Sequence, residues 1–542
     1  MPDWTFGGSR SVTRRDFLRL MGAIGGSTAV WQSMNALNLV GGSARPRPPE
    51  LEGRGDGTSV LVVGGGCAGS AATYELMNLG YDVHLLEAGD RLGGHVFTVR
   101  QGDETHELGG ERQVCEFDED QYWDAGPWRI PSIHHATLHY CRHLGVPMEP
   151  HINVNGSAWV YLEEIDGPIT GERMRIHTLQ ADMRGHTAEL LARALDQDQL
   201  DADLTEEDRD LLISYLISEG LLSSDDLTYG TNSRRGYKVV PGAGDQPGDP
   251  TDPIELQRLL PFGTAAMQTA GGYLASVASA FQQDTMLQPV GGMDQIFRTG
   301  FDPEILENTT LRAAVKEIRQ DEDQVTVVYE DLDNGEEHEM SADYCICAVP
   351  LSMLAQISAD FSSEMQEAVN GVPYFASGKG AMQFSRRFWE EDEQVYGGIS
   401  WLNIPEIGTV AYPNHDFFQQ KGIMQAYYNF GSVAVEVSGL SPEERMEMAL
   451  EQGSKLHPQM PDEYENGFSV AWHRMPFLQG AWPTYSSYAR ENYYPRLQEP
   501  DGRVYLAGEH LSYTTGWMEG AFQSAWMQIE KLHERVMQEQ DD

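Results

Sequence analysis

Ser59-Val60-Leu61-Val62-Val63-Gly64-Gly65-Gly66-Cys67-Ala68-Gly69 decides how this chain folds. Val60 to Val63 form a short, unbroken apolar run, as a parallel strand buried on both faces requires. The run enters a G-x-G-x-x-G spacing at Gly64, Gly66 and Gly69, with Ala68 inside the same turn. Ser70 to Leu79 then reads as a helix that stops at Gly80, and Asp82 to Leu86 as a second strand that ends at Glu87. Strand, glycine turn, helix, strand and an acid roughly 20 residues on make a dinucleotide-binding βαβ unit. Gly64 permits the tight turn, Gly66 lets a pyrophosphate approach the helix N-terminus, and Gly69 lets helix and strand pack closely. Glu87 is placed to accept hydrogen bonds from ribose hydroxyls. The fold class expected is α/β.

The chain has 542 residues and is 40% hydrophobic, enough for a sizeable core in one large interleaved unit or several domains. Its formal net charge of −46 argues against nucleic acid and anionic membranes as partners. Only six of the 37 basic residues are lysines, and acidic residues exceed basic ones along the whole chain. This reads as a halophilic protein, soluble where salt shortens the reach of self-repulsion. Five cysteines, with no C-x-x-C pair, imply neither a disulfide framework nor a metal site. Cys345 and Cys347 alternate along an apolar run, as two small hydrophobes on one face of a strand.

Ser11-Val12-Thr13-Arg14-Arg15-Asp16-Phe17-Leu18 precedes a weakly apolar stretch from Leu20 to Val40. The arginine pair, the Phe-Leu and the apolar run together predict a twin-arginine (Tat) export signal over residues 1–45, hence a periplasmic or extracellular (secreted) protein. The stretch is too polar for a membrane span.

Beyond Glu87 the chain continues Ala88-Gly89-Asp90-Arg91-Leu92-Gly93-Gly94-His95. This resembles the R-x-G-G-R segment of the flavin-dependent amine oxidase superfamily, with His95 in place of the second Arg. Near the other end, Gly502 to His510 reads as a strand entering a glycine turn, and Gly516-Trp517-Met518-Glu519-Gly520-Ala521 opens a helix to about Gln538. That pair resembles the superfamily's second FAD motif. The Val290 to Asp294 turn also fits, as does Leu311 to Tyr329, where Val315 matches an adenine contact.

The resemblance implies FAD as cofactor. Gly64, Gly66, Ala68, Gly69, Glu87, Ala88, Arg91, Gly93, Gly94, His95, Val315, Glu509, Gly516, Trp517, Met518 and Ala521 would lie along it. No cysteine stands near Gly516, so non-covalent FAD is expected. No metal is called for.

Within the superfamily the chain is most similar to L-amino-acid oxidases. Leu108-Gly109-Gly110-Glu111-Arg112 is similar to their L-G-x-M-R segment, whose arginine grips the substrate α-carboxylate, with Glu111 in the methionine's place. Gly109, Gly110, Glu111 and Arg112 would then press against the flavin. A planar guanidinium matches a carboxylate with two parallel hydrogen bonds. Lys379 aligns with the lysine that holds a water near flavin N5, and a lysine in an apolar run is costly to bury without a role. Tyr412 and Trp517 align with the aromatic walls beside the substrate.

The expected organisation is a Rossmann-like FAD domain (residues 58–130, 290–350 and 468–542) interleaved with a mixed-sheet substrate domain (131–150 and 351–467). A helical insertion takes 151–288, within which Thr228 to Thr251 is a Gly/Pro/Asp-rich loop and a candidate entrance lid. The expected reaction is oxidative deamination of an L-amino acid to a 2-oxo acid, ammonia and hydrogen peroxide, with dioxygen as the second substrate. A homodimer is the assembly to test. Rival readings are an amine or polyamine oxidase, an amino-acid monooxygenase, and a non-catalytic FAD-binding protein.

Overall fold

A computed structural model of the chain describes residues 45–197, 204–269 and 282–541. The expected export signal falls outside them, apart from Arg45.

Five parallel strands form the nucleotide-binding sheet, in the spatial order Thr309–Thr310, Asp82–Leu86, Ser59–Val63, Tyr344–Cys347 and Val504–Leu506. Period-two alternation sends neighbouring side chains to opposite faces. Val60, Val62, Tyr344 and Ile346 pack under the helices Cys67–Asn78 and Met518–Asp541. Leu61, Val63, Cys345 and Cys347 face the other way, onto antiparallel strands Ala313–Gln320 and Val325–Asp331. Cys345 and Cys347 thus share one buried face, and all five cysteines are free and buried. Gly69 is required by contact: a Cβ there would lie 1.8 Å from the Gly64 carbonyl oxygen.

The second sheet has seven strands, in the order Tyr464–Ala471, Ser377–Phe384, Gly422–Phe430, Thr409–Tyr412, Gly398–Leu402, Trp159–Leu162 and Glu172–Arg175. The last two correct the sequence reading, which gave residues 151–288 to a helical insertion. Trp159-Val160-Tyr161-Leu162 is aromatic and aliphatic in every position, and three of its four residues are buried in the core of this sheet. Helices follow only from Ile176–Asp196, through Glu206–Gly220, whose N-terminus carries a Thr205/Asp208 capping box, to Leu256–Gln268. The Thr228 to Thr251 loop folds back on the first of them. Buried Asp182 accepts from Tyr229 Oη at 2.9 Å and Ile254 N at 3.0 Å, and pairs with Arg235. None of its residues borders the cavity described below, so it is not an entrance lid in this arrangement. No described helix is long and apolar enough to cross a membrane.

Candidate active site

One cavity of about 1240 Å³ runs from the nucleotide-binding sheet to the seven-stranded sheet. Its first half is built by the glycine turn and its surroundings. Gly64, with φ +97°, turns the chain off the central strand, and a Cβ on Gly66 would meet nothing within 4 Å. Helix Cys67–Asn78 begins there with no side-chain cap and no acid in its first turn, so its N–H groups remain for an anion. Glu87 accepts from Gly65 N and Gly89 N, both at 2.6 Å. Burial pushes its carboxyl up, opposed by those two amides. Arg91 donates to Val96 O at 2.7 Å and Gly94 O at 3.0 Å, which shapes the Gly93–Gly94 turn. His95 is held neutral by burial and bonds Gly480 O at 2.7 Å, reaching across to the other half.

Glu509 lies at the junction, where burial raises its carboxyl to about 8 against the amides of Gly516 and Trp517. Gly64, Gly66, Ala68, Glu87, Ala88, Arg91, Gly93, Gly94, His95, Val315, Glu509, Gly516, Trp517, Met518 and Ala521 all line this cavity. Gly69 stands one layer back, in the helix–strand contact. The volume, the open N-terminus of helix Cys67–Asn78 and a cradle that side chains would fill suit a dinucleotide, so the residues present fit FAD.

The other half is aromatic. Lys379 is 2% exposed in the strand Ser377–Phe384, where its register partners are Tyr428 and Val470. Its Nζ donates to Gly126 O at 2.5 Å and sits 4.6 Å from the Tyr428 ring centre and 5.1 Å from that of Trp128. Burial, and then the like charge of Arg129, lower its ammonium to about 7, with Asp124 pulling the other way. Arg129 is 9% exposed, lies 4.6 Å over the Trp128 ring and borders the same cavity. Phe430, Trp482 and Trp517 complete the walls.

Two sequence assignments are corrected here. Arg112 is not in the cavity. Its side chain is 62% exposed and pairs with Glu104 across the hairpin Glu104–His106/Arg112–Val114. Gly109, Gly110 and Glu111 also lie away from the cavity, with Arg474 the nearest neighbour to a Cβ on either glycine. The cause is Glu107, buried and gripped by Arg445 at 2.8 and 2.7 Å, while Arg474 donates to Leu108 O; together they pin this turn outside. The arginine beside the lysine is Arg129. The signal was present: Gly126-Pro127-Trp128-Arg129 has the G-x-M-R spacing with an apolar residue before the arginine, whereas Gly109-Gly110-Glu111-Arg112 has an acid there.

Tyr412 is buried in the sheet core instead, bonding Ser400 Oγ at 2.6 Å and His457 Nε2 at 2.7 Å, and does not line the cavity. Tyr428, the register partner of Lys379, stands where Tyr412 was expected.

With sheet, cradle and aromatic chamber in place, the comparisons define the class. Residues 67–528 match the flavin containing amine oxidoreductase family, and the chain belongs to it: it is an oxidoreductase flavoenzyme. It is 26% identical over 484 residues to an L-amino-acid oxidase of Gloydius halys, covering 86% of this chain and 87% of that protein. It is 26% identical over 475 residues to an L-amino-acid oxidase of Siganus canaliculatus, covering 86% and 83%. The solved cyclohexylamine oxidase of Brevibacterium oxydans IH-35A shares the fold, with a TM-score of 0.57 at 17% identity over 90% of this chain and 100% of that one.

Proposed function

We propose that this chain is an FAD-dependent L-amino-acid oxidase. One observation carries the reading: a buried arginine, Arg129, and a buried lysine, Lys379, border one aromatic chamber at the end of the nucleotide cradle. Simple amines give an arginine fork nothing to bind, whereas an α-carboxylate fits it with two hydrogen bonds. Arg129 anchors that carboxylate. Tyr428, Trp517 and Trp128 enclose the side chain and exclude water. Lys379, with an ammonium lowered to about 7, holds a water, or takes or gives a proton, beside the reacting carbon.

Non-covalent FAD, held by Gly66, Glu87, Arg91, Glu509 and the amides that open the helix at Met518, supplies hydride acceptance from Cα and reoxidation by dioxygen when bound. The imino acid leaves for hydrolysis to a 2-oxo acid and ammonia. We extend the proposal to twin-arginine export and life at high salt, on the sequence features given above. The test is anaerobic mixing with L-amino acids and their decarboxylated amines, followed by loss of oxidised-flavin absorbance. Bleaching by amino acids alone is expected; bleaching by amines alone would make the chain an amine oxidase, and none by either would leave a binding protein.

A further inference from the structure

The two walls that would flank a substrate come from distant parts of the chain. Arg129 sits in an extended segment leading into helix His135–His143; Trp517 immediately precedes helix Met518–Asp541. Helix His135–His143 begins at His134 with no cap from that residue's side chain. Its first N–H groups therefore need another acceptor. Glu519, 4% exposed, supplies it: Oε1 accepts from Ala136 N at 3.1 Å, and Oε2 from Thr137 N at 2.9 Å and Thr137 Oγ at 3.1 Å. At the same junction the His134 and Trp517 rings meet edge-on, 4.8 Å apart at 86°. Glu519 itself does not border the cavity.

We propose that Glu519 is a positioning residue that fixes the gap between Arg129 and Trp517, and with it the fit of substrate. The proposal rests on reading those two residues as the substrate's walls. A carboxylate is specified because four donors converge on its two oxygens, the fourth being Gln523 Nε2 at 3.0 Å from Oε1, and its charge faces the positive end of the helix. Glutamine would bring an NH₂ group toward at least one of those donors and strand it in a buried place. Aspartate keeps the charge but falls one methylene short.

The test uses FAD-loaded Glu519→Gln and Glu519→Asp with whichever substrate best reduces the wild type. We expect Glu519→Gln to raise KM and the benzoate Kd, read from the bound-flavin spectrum, roughly tenfold, with kcat changed less than about threefold and Glu519→Asp intermediate. Glu519→Gln with a lowered melting midpoint but wild-type KM and benzoate affinity would overturn the proposal. If Glu519→Gln does not fold, Thr137→Val removes one of the four contacts, and an unchanged KM there overturns it equally. A wild type reduced only by amines and blind to benzoate sinks the carboxylate reading instead; the KM ratio for the amine then decides Glu519 separately.

Discussion

Replacing Arg129 by methionine removes a buried guanidinium while keeping an unbranched chain on the Trp128 ring. A hydrogen bond to a charged group contributes about 1.5–3 kcal/mol. A carboxylate engaged by both arms of the fork would therefore lose about 3–6 kcal/mol, or about 10²- to 10⁴-fold in kcat/KM for L-amino acids. Arg129→Lys keeps the charge but not the fork, and falls between. The corresponding amines lose nothing, so the amino-acid to amine ratio collapses.

A second readout comes from the same change. Arg129 is one of the causes that lower Lys379, so removing it moves any step that needs neutral Lys379 to higher pH, above the wild-type midpoint near 7. The assay is anaerobic stopped-flow reduction of the bound flavin across pH 6 to 10, run on both substrate classes. Arg129→Met within threefold of wild type on L-amino acids would refute the assignment of the carboxylate clamp.

Lys379→Met should stabilise the protein most in acid. A lysine lowered on folding is protonated in both states below about 7, where its burial cost is felt in full; as pH rises toward its unfolded value the folded state sheds the proton and the cost fades. The melting midpoint should therefore rise by on the order of a few degrees at pH 6 and by less at pH 10, read by calorimetry on the same holoenzyme. Tyr412→Phe should leave kcat/KM within about threefold yet cost about 1–3 kcal/mol in urea unfolding, because His457 Nε2 and Ser400 Oγ lose a buried partner. Arg112→Ala breaks only an exposed pair with Glu104, so stability should move by about 1 kcal/mol or less, and KM should hold within about twofold; a large rise in KM would restore the original assignment.

The cradle was legible because its constraints are local. Gly64, Gly66, Gly69 and Glu87 belong to one strand–turn–helix–strand unit whose spacing and backbone needs are written in consecutive residues. Lys379 was legible for a related reason, since a lone lysine in an apolar strand stands out. Arg129 was marked only by the apolar Trp128 before it, and Tyr428 was not marked at all. Two glycine–arginine runs lie within 20 residues of each other, and contacts formed across the fold, Glu107 with Arg445 and Leu108 with Arg474, send Arg112 outward. Tyr412 and Tyr428 lie on strands of the same sheet. Strand order separates them: Gly422–Phe430 pairs directly with the Lys379 strand and Thr409–Tyr412 lies beyond it, while a register shift between Gly380 and Ala381 brings Tyr428 rather than Tyr427 opposite Lys379, and a sequence pattern of period two carries no trace of either. Trp159 to Leu162 joined the substrate sheet by pairing in parallel with Gly398–Leu402, a partner no local signal announces.

The strand order of the nucleotide sheet has a consequence for synthesis. Ser59–Val63, made early, lies at the centre, and its neighbours on one side are Tyr344–Cys347 and then Val504–Leu506, made far later. The cradle needs both Gly66 and Ala521. At ~5–20 residues per second, a ribosome takes tens of seconds to pass from one to the other. Until Tyr344 to Cys347 emerge, Val60 to Val63 keep one flank unpaired, and until Val504 to Leu506 emerge the sheet lacks its last strand. The nascent chain must be shielded before any cofactor can be taken up, and a fragment that stops short of the last helix keeps the glycine turn but not the pocket.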